Sequence, residues 1–321
     1  MTRVLAALAA MAFLVGCTTA PTTPAPHWQL QWADEFDGPA LDRSRWRPEV
    51  SCWGGGNQER QCYTDRTDNV RVEGGVLRLI ARREPFTGPD RPPEIAETPN
   101  PQVTQPFTSG KVRTLGLAAW RYGRVEFRAR VPRGQGTWPA VWMMPAGNVY
   151  GHWPRSGEID ILEAVNMGAP CPQCTGSDGE NRTISALHFG DFRPRNRFLD
   201  TRVALPDGSQ PADDFHIWSL EWAAGEMRFY LDGREYWRVT ADRWSTAAPN
   251  AAGRPNAPFD QPFYLMANLA IGGRLAEDNN ARGLADNVVP AEFQIDWIRV
   301  YQCAGGDSGG RACLGQTVEG Q

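Results

Sequence analysis

Short segments that alternate hydrophobic and polar residues, separated by turn residues, run through the chain from residue 27 onward. Residues 121–131, RYGRVEFRARV, show the pattern most clearly, because every second residue from Val125 to Val131 is hydrophobic and the residues between them are charged. Successive side chains of a strand point to opposite faces, so this alternation indicates strands with one buried face. The same pattern recurs in residues 69–82 about a Gly74-Gly75 turn, residues 218–239 about an Asp232-Gly233 turn, and residues 294–301. Many short strands without a convincing amphipathic helix predict an all-β sandwich or barrel.

Three carboxylates lie within six residues of one such segment, WPRSGEIDILEAVN, at residues 153–166. A regular strand would place Glu158 and Asp160 on one face and Glu163 on the other. A one-residue β-bulge after Asp160 would bring all three to one surface. Glu158 and Glu163 would then lie roughly 13 Å apart at Cα. Side chains leaning together would reach about 5 Å between carboxyls, the separation typical of a retaining glycosidase.

Two simpler interpretations of these acids are a solvated strand face and a site for a divalent cation. The first fits poorly because Ile159, Ile161 and Leu162 need a dry face, and aligned anions repel one another. The second requires more oxygen ligands than one strand supplies. We therefore favour catalysis, since such electrostatic repulsion is usually retained for function.

Size and composition exclude several classes of protein. The 321 residues suffice for a large core in one or two domains, and no position suggests a second domain. With 41% hydrophobic residues the chain is not disordered. A net charge of −4 and the absence of a helical Lys/Arg cluster argue against a nucleic-acid partner. The 13 Trp residues suit flat stacking surfaces as well as a core.

Residues 1–16 have the pattern of an export signal, with Arg3 before an apolar stretch too short to span a bilayer. Cys17 directly follows Gly16, which resembles a bacterial lipoprotein signal cleaved before a lipidated cysteine. An ordinary secretory signal is the alternative. Residues 17–26 then form a Thr/Pro/Ala tether. We expect an exported lipoprotein in the outer membrane, at the cell surface or in the periplasm, attached to the membrane only through Cys17.

The remaining six cysteines form an even set in an exported chain, which favours disulfides. Local pairing is the simplest of the possible connectivities, and gives Cys52–Cys62, Cys171–Cys174 and Cys303–Cys313. The CPQC segment at residues 171–174 could also be a redox motif or half of a zinc site. Without a second CxxC or a matching His pair, we interpret it as a disulfide that constrains a loop.

Two stretches lack strand periodicity. Residues 84–107 contain seven prolines, and residues 240–261 are rich in Ala, Pro and Asn. We expect both to be long surface loops, which either border a binding site or are inert insertions.

Several aromatic and polar residues are expected near the acids. Trp138 and Trp142 share a strand face, Trp153 precedes the acidic segment, and His188 lies in the strand-like run SALHFG. A buried core role is the usual interpretation for a single Trp, as is a structural role for a lone His. The two Trp residues on one face favour sugar stacking.

Together these motifs resemble glycoside hydrolase family 16. The segment SGEIDILE is similar to the bulged family signature E-x-D-x-x-E of laminarinases, which are endo-β-1,3-glucanases, and of some agarases and carrageenases. The unbulged form is E-x-D-x-E. The resemblance extends over nearly all of the chain after the tether, through DEFDG, GGNQERQCYT, NVRVEGGVLRLIARRE, SGKVRT, YGRVEFRARVP, GQGTWPAVWMMP, FHIWSLEW, PFYLMANLAIGG and IDWIRVYQC.

The resemblance implies a β-jelly roll over residues 27–303, a sandwich of two curved antiparallel sheets with a concave substrate cleft. Residues 304–321 would form a C-terminal tail held by Cys303–Cys313. Glu158 would be the nucleophile, Glu163 the acid/base, and Asp160 the partner that hydrogen-bonds and tunes them. The sugar contacts would be Asn57, Arg113, Trp138, Trp142, Trp153, His188 and Asn268.

The resemblance also implies that catalysis needs no cofactor. A structural Ca²⁺ would be held away from the cleft by Glu35, the Gly75 carbonyl and Asp296. The expected activity is retaining hydrolysis of a laminarin-like β-1,3-glucan by a monomer. Alternatives are another β-glycan, such as mixed-linkage glucan or an agarose-type galactan, a glycan-binding jelly roll without activity, and a calcium-dependent adhesin. Residues 84–107 and 171–180 depart from the common family pattern, which leaves exo against endo action open.

Overall fold

A computed structural model describes residues 25–174, 177, 179–316 and 318. The expected signal at residues 1–16 and the lipidation site Cys17 lie outside the described residues, as does most of the tether. No helix in the described part of the chain is long and apolar enough to cross a membrane.

The described residues form strands joined by turns, with one short α-helix. The strands are β1 (His27–Asp34), β2 (Arg47–Pro48), β3 (Gln61–Tyr63), β4 (Val70–Val72), β5 (Leu77–Pro89), β6 (Gln102–Ser109), β7 (Lys111–Arg113), β8 (Gly123–Arg130), β9 (Thr137–Pro145), β10 (Glu158–Glu163), β11 (Arg182–Gly190), β12 (Asn196–Ala204), β13 (His216–Ala223), β14 (Glu226–Leu231), β15 (Arg234–Thr240), β16 (Phe263–Ile271) and β17 (Ala291–Ala304). Helix α1 is Arg274–Glu277, and short 3₁₀ turns lie at Gly54–Gly56, Ala241–Arg243, Pro249–Ala251 and Arg311–Cys313.

The strands build two sheets. A seven-stranded antiparallel sheet has the order β12-β11-β10-β9-β16-β7-β2. A ten-stranded sheet has the order β15-β14-β13-β8-β17-β5-β6-β3, with β1 beside β17 and β4 beside β5. Pairing is antiparallel except between β3 and β6. This is the all-β jelly-roll sandwich that the sequence predicts.

The core lies between the sheets because each sheet turns its hydrophobic residues toward the other. Phe127 and Trp218 of the ten-stranded sheet and Ile159, Leu187 and Leu265 of the seven-stranded sheet are fully buried in one cluster. The opposite face of the seven-stranded sheet, here called the cleft face, therefore carries a separate set of side chains.

The expected hairpins are present. Strands β4 and β5 pair across the Gly74-Gly75 turn, and β14 and β15 pair across Asp232-Gly233. Both turns contain residues with positive φ, including Gly74 at 64° and Gly233 at 75°, a conformation that glycine adopts without steric strain.

The expectation of a long loop at residues 84–107 is wrong. Strands β5 and β6 pair over most of this stretch as an extended hairpin, and only residues 90–101 form its tip. The prolines misled the prediction because proline is compatible with a sheet at a bulge. Pro85 lies where the β5–β6 register shifts between Arg83 and Phe86, a position without regular ladder hydrogen bonds.

The three expected disulfides are confirmed: Cys52–Cys62, Cys171–Cys174 and Cys303–Cys313. Strand β17 continues to Ala304, the first residue of the expected tail. The segment that follows packs back onto β1, where Trp28, Tyr301, Cys313 and Val318 form a small separate cluster.

Candidate active site

A β-bulge in β10 brings the three acids to the cleft face. Glu158, Asp160 and Glu163 lie opposite His188, Ala186 and Ile184 of β11, and the register shifts between Asp160 and Glu163. These partners are evenly spaced at two-residue intervals, so all three acids share one face. Ile161 and Leu162 are consecutive and both fully buried in the core, as expected where a strand carries one extra residue.

Each of the two glutamates accepts a hydrogen bond from a tryptophan indole. Nε1 of Trp153 donates to Oε2 of Glu158 at 2.5 Å, and Nε1 of Trp138 donates to Oε1 of Glu163 at 2.9 Å. An indole nitrogen can only donate, so both contacts orient the acceptor oxygens of the acids.

His188 lies over the acidic strand from β11. Its Nε2 is 3.4 Å from Oδ2 of Asp160. One side-chain atom each of Glu158, Asp160 and His188 lies within 4.8 Å of the others. The side chain of Asp160 is almost fully buried, so the imidazole is a direct partner of a carboxyl group that water barely reaches.

Burial and mutual repulsion change the ionisation of this cluster. Burial is the main cause that raises the pKa of Asp160 well above its usual range, and the neighbouring charge of Glu158 adds to it. Burial alone would lower the pKa of His188, but the charges of Glu158, Asp160 and Glu163 raise it to about 10. His188 is therefore cationic near neutral pH and offsets part of the negative charge.

Glu163 is the acid with the clearest functional signature. Burial raises its pKa to about 7, against the lowering effects of the His188 charge and the Trp138 hydrogen bond. A carboxyl group with this pKa holds a proton near neutral pH and can also release it.

The β9, β16 and β7 side of the cleft face carries a second polar group of residues. Trp142 donates from Nε1 to Oδ1 of Asn268 at 2.6 Å, and Nδ2 of Asn268 donates to the Tyr63 hydroxyl at 3.1 Å. The ammonium of Lys111 lies 5.0 Å from the Trp142 ring centroid and 5.5 Å from that of Tyr63. These contacts hold the Trp142 indole at the floor of the cleft.

Arg113 lies in the same cross-strand row as Asp160, through Met266 and Trp142. Three strand spacings separate them, or about 14 Å. Its guanidinium and the Lys111 ammonium each lie 3.1 Å from Oε2 of buried Glu49. Arg113 also pairs with Glu94 at the tip of the β5–β6 hairpin. Two acids therefore neutralise the two cations at this end of the cleft.

Asn57 is placed near the acids by the turn before β3. Its carbonyl oxygen accepts a hydrogen bond from the Arg274 backbone. A Cβ built on Gly273 would lie 3.2 Å from both this oxygen and the Trp138 ring. Gly273 has a φ of 82° and borders both groups, so a side chain at this position would be strained and would crowd the Asn57 carbonyl and the Trp138 ring.

The two acids expected to bind calcium are paired with arginines. Both carboxylate oxygens of Glu35 accept hydrogen bonds from Arg299 at 2.8 Å. Asp296 accepts one from Arg128 at 2.7 Å. As arranged, the two acids do not fit a cation site, because a metal ion would have to displace two guanidinium groups.

Sequence reasoning did not assign several residues that the structure places at the site: Glu49, Glu59, Tyr63, Glu94, Lys111 and Phe198. Glu59 is buried, which raises its pKa, and its charge helps to raise the pKa of Glu163. The GGNQERQCYT motif contains both Glu59 and Tyr63, so it carried a usable signal. Glu94 and Phe198 had none, because their roles depend on long-range pairing.

Comparison with known proteins identifies the family to which this chain is similar. A family model described as "Beta-porphyranase A-D, GH16 domain" matches residues 28–303. The chain is 39% identical to "Glucan endo-1,3-beta-glucosidase A1" of Niallia circulans over 292 residues, which cover 88% of this chain and 39% of that protein. It is 36% identical to "Beta-glucanase" of Rhodothermus marinus over 299 residues, 91% of this chain and 92% of that one.

Solved structures agree with the fold. The X-ray structure of the laminarinase from Rhodothermus marinus matches with a TM-score of 0.69 and 35% sequence identity. The match covers 87% of this chain and 99% of that one.

Proposed function

Because the chain belongs to glycoside hydrolase family 16, we propose that this glycosidase is a retaining endo-β-1,3-glucanase that cuts laminarin-like glucans. The observation that carries the proposal is the bulge in β10, which places Glu158, Asp160 and Glu163 on one face beside His188. The similarity to endo-1,3-β-glucanases and a laminarinase supports the choice of substrate.

The proposed reaction has two steps. In the first, Glu163 gives its proton to the glycosidic oxygen while a carboxylate oxygen of Glu158 attacks the anomeric carbon. The bond to the leaving sugar breaks, and a covalent ester joins the remaining sugar to Glu158. In the second step Glu163 takes a proton from a water molecule while the oxygen of that water attacks the anomeric carbon. The ester bond to Glu158 breaks, and the Glu158 carboxylate is released. Two inversions retain the β configuration.

The surroundings of the acids suit these roles. A pKa of about 7 lets Glu163 act as an acid and then as a base. The Trp153 indole donates to Glu158 and stabilises its carboxylate when the ester breaks. Asp160 lies between the two glutamates and contacts cationic His188, so we assign this pair to tuning the charge of the site.

We assign sugar contacts to the indoles of Trp138, Trp142 and Trp153. Trp138 and Trp153 each border a catalytic glutamate, so a sugar that reaches the acids also meets an aromatic surface. The polar sugar contacts in this proposal are Asn57, Arg113, His188 and Asn268. Arg113 and Asn268 lie on one side of the acids, because their strands β7 and β16 lie beyond β9 in the sheet.

A galactan is the second candidate substrate. The matching family model is named for a β-porphyranase, which favours this alternative. Against a sulfated galactan, Glu49 and Glu94 neutralise Lys111 and Arg113, the cations of the β7 end of the cleft. A non-catalytic glycan-binding protein is disfavoured because all three acids are retained in the expected geometry.

Product analysis of the chain from residue 18 onward tests the activity on laminarin, mixed-linkage glucan and agarose. We expect short oligosaccharides from laminarin with wild type, and a loss of at least about 10³-fold in kcat for Glu158→Gln, because an amide is a poor nucleophile. Far-UV circular dichroism of the variant controls for folding.

Cleavage of agarose alone would keep the mechanism and discard the glucan substrate. Binding without cleavage of any glycan would contradict the enzymatic function.

Export as a lipoprotein attached through Cys17 is part of the proposal, as is a monomeric state. Mass spectrometry of the N-terminal peptide from membrane fractions tests the lipid attachment, and Cys17→Ser should release the protein in soluble form. A structural calcium at Glu35, Gly75 and Asp296 remains a prediction that the arginine pairs oppose. A saturable rise in Tm when Ca²⁺ is added to EDTA-treated protein would support it.

A further inference from the structure

We propose that Phe198, on the edge strand β12, is a stacking platform for a sugar unit of the substrate beyond those that contact the acids. This inference rests on the proposed hydrolase function and extends the substrate site across the strand that borders the cleft. Phe198 belongs to no sequence motif that we assigned to binding.

The position of Phe198 follows from strand register. Phe198 pairs with His188 of β11, and His188 pairs with Glu158 of β10. The three residues form one cross-strand row on the cleft face, and two strand spacings place Phe198 about 10 Å from Glu158 at Cα. The neighbours Leu199 and Val203 pack against the core, which confirms that Phe198 faces the other way.

Aromatic rings lie along this row, with Trp153 beside its Glu158 end. The Trp153 and His188 ring centroids are 6.1 Å apart, and those of His188 and Phe198 are 5.8 Å apart. A continuous surface of rings therefore leads from Glu158, which Trp153 contacts directly, to the open edge of the sheet.

Phe198 is unusually exposed for a large hydrophobic residue. Its side chain is 58% exposed, the largest value among the exposed large hydrophobic residues that the structure describes. Large exposed apolar groups beside a polar site commonly mark a binding surface. The occupant that fits is the glycan itself, because a sugar chain lying over the acids and crossing the strands would reach this ring in line with the row.

The two ends of the cleft differ in chemistry. The β7 end carries a charge-neutral cluster, in which the acids Glu49 and Glu94 pair with the cations Lys111 and Arg113. On the β12 side lies an uncovered ring with Asp200 and Arg202 further along the same strand face. Sugar rings present apolar faces to aromatic rings, so the exposed ring at the β12 end suits stacking.

The test compares chain-length dependence. We would measure kcat/KM on laminari-oligosaccharides from the trimer to the heptamer for wild type, Phe198→Ala and Phe198→Trp. For Phe198→Ala we expect a loss of about five- to tenfold that appears only once the oligosaccharide is long enough to reach β12. Phe198→Trp should restore the wild-type dependence.

Phe192→Ala is the matched control. Phe192 is also exposed, at 40%, and lies six residues earlier, but it packs under the Arg155 guanidinium, 4.0 Å from its ring centroid, outside the row. We expect Phe192→Ala to leave the length dependence unchanged.

An equal loss on short and long substrates, or no loss at all, would overturn the inference. A change confined to oligomeric state in size-exclusion chromatography would overturn it too, by assigning the ring to contact between copies of the chain. If wild type cleaves agaro-oligosaccharides and no laminari-oligosaccharides, the proposed substrate fails independently. The same series on the agarose fragments then tests Phe198.

Discussion

Two glutamates of identical structure acquire different tasks from their immediate neighbours. Burial of the Glu163 carboxyl raises its pKa to about 7. The same carboxyl receives the Trp138 indole, whose hydrogen bond favours the charged form and lowers the pKa. The pKa of the proposed acid/base therefore reflects burial opposed by the charge of His188 and by the Trp138 N–H donor.

Removing that donor makes a prediction about the pH profile. In Trp138→Phe the Glu163 carboxylate loses its hydrogen bond, so its pKa rises and the proton is retained to higher pH. Because kcat/KM requires protonated Glu163, the basic limb of the kcat/KM profile should move to higher pH by about one unit. The measurement is kcat/KM on laminarin across the alkaline range.

Trp142→Phe provides the control for this shift. Its indole donates to Asn268 and to neither glutamate, so we expect weaker substrate binding without displacement of the limb. An unchanged limb in Trp138→Phe would contradict the assignment of Glu163 as the group that titrates.

At the scale of elements, strand β10 was predicted more fully than the β5–β6 hairpin. The bulge could be inferred because Ile161 and Leu162 both require the core while three acids require one surface. The hairpin could not be, since its prolines suppress the local strand signal of both strands. The contact of Glu94 with Arg113 depends on that pairing and was invisible for the same reason.

The hairpin tip makes a prediction about charge. In Glu94→Gln, Arg113 and Lys111 retain only Glu49 as an anionic partner, so that end of the cleft gains a net positive charge. We expect affinity for a sulfated galactan to rise by about threefold to tenfold, with little change for neutral laminarin. Affinity electrophoresis in gels containing each polysaccharide measures both.

Glu97→Gln removes the same charge from the same tip at an exposed position. An equal gain in the two variants would indicate a general charge effect and contradict a specific role for the Glu94–Arg113 pair.

For the whole molecule, two disulfides of equal sequence separation serve different parts of the sandwich. Cys52–Cys62 and Cys303–Cys313 each span a separation of 10 residues, so the chain-entropy contribution of each is about 2–3 kcal/mol. The first encloses Asn57 and Glu59, and the second holds the tail on β1.

Replacing each pair by serines should therefore destabilise the fold similarly but affect catalysis differently. We expect the free energy of unfolding in guanidinium to fall by about 2–3 kcal/mol in both double variants. Only Cys52→Ser/Cys62→Ser should also lower kcat/KM, by about tenfold or more, because the loop that carries Asn57 and Glu59 loosens. An equal loss of activity in the tail variant would contradict the separation of the two regions.

The overall fold was more accessible from sequence than the extent of the site. Strand alternation in residues 121–131 encodes which face of β8 is buried. In residues 294–301 the register of β17 shifts between Ile295 and Trp297, so Ile295 and Ile298 are both buried and simple alternation does not give the whole pattern. The role proposed for Phe198 could not be predicted in this way, since its sequence neighbours in β12 do not reveal that it pairs with His188 of the adjacent strand β11.

Strand β1 begins at His27, which pairs with Ala304 near the end of β17. Both ends of the sandwich thus leave from the ten-stranded sheet, whereas the acids lie on the outward face of the other sheet. A molecule attached to a bead or an electrode through a tag at either end would present its open groove to the solution. Immobilisation through the termini should accordingly preserve turnover of a long polymer, whereas random coupling to surface side chains would leave many copies facing the support.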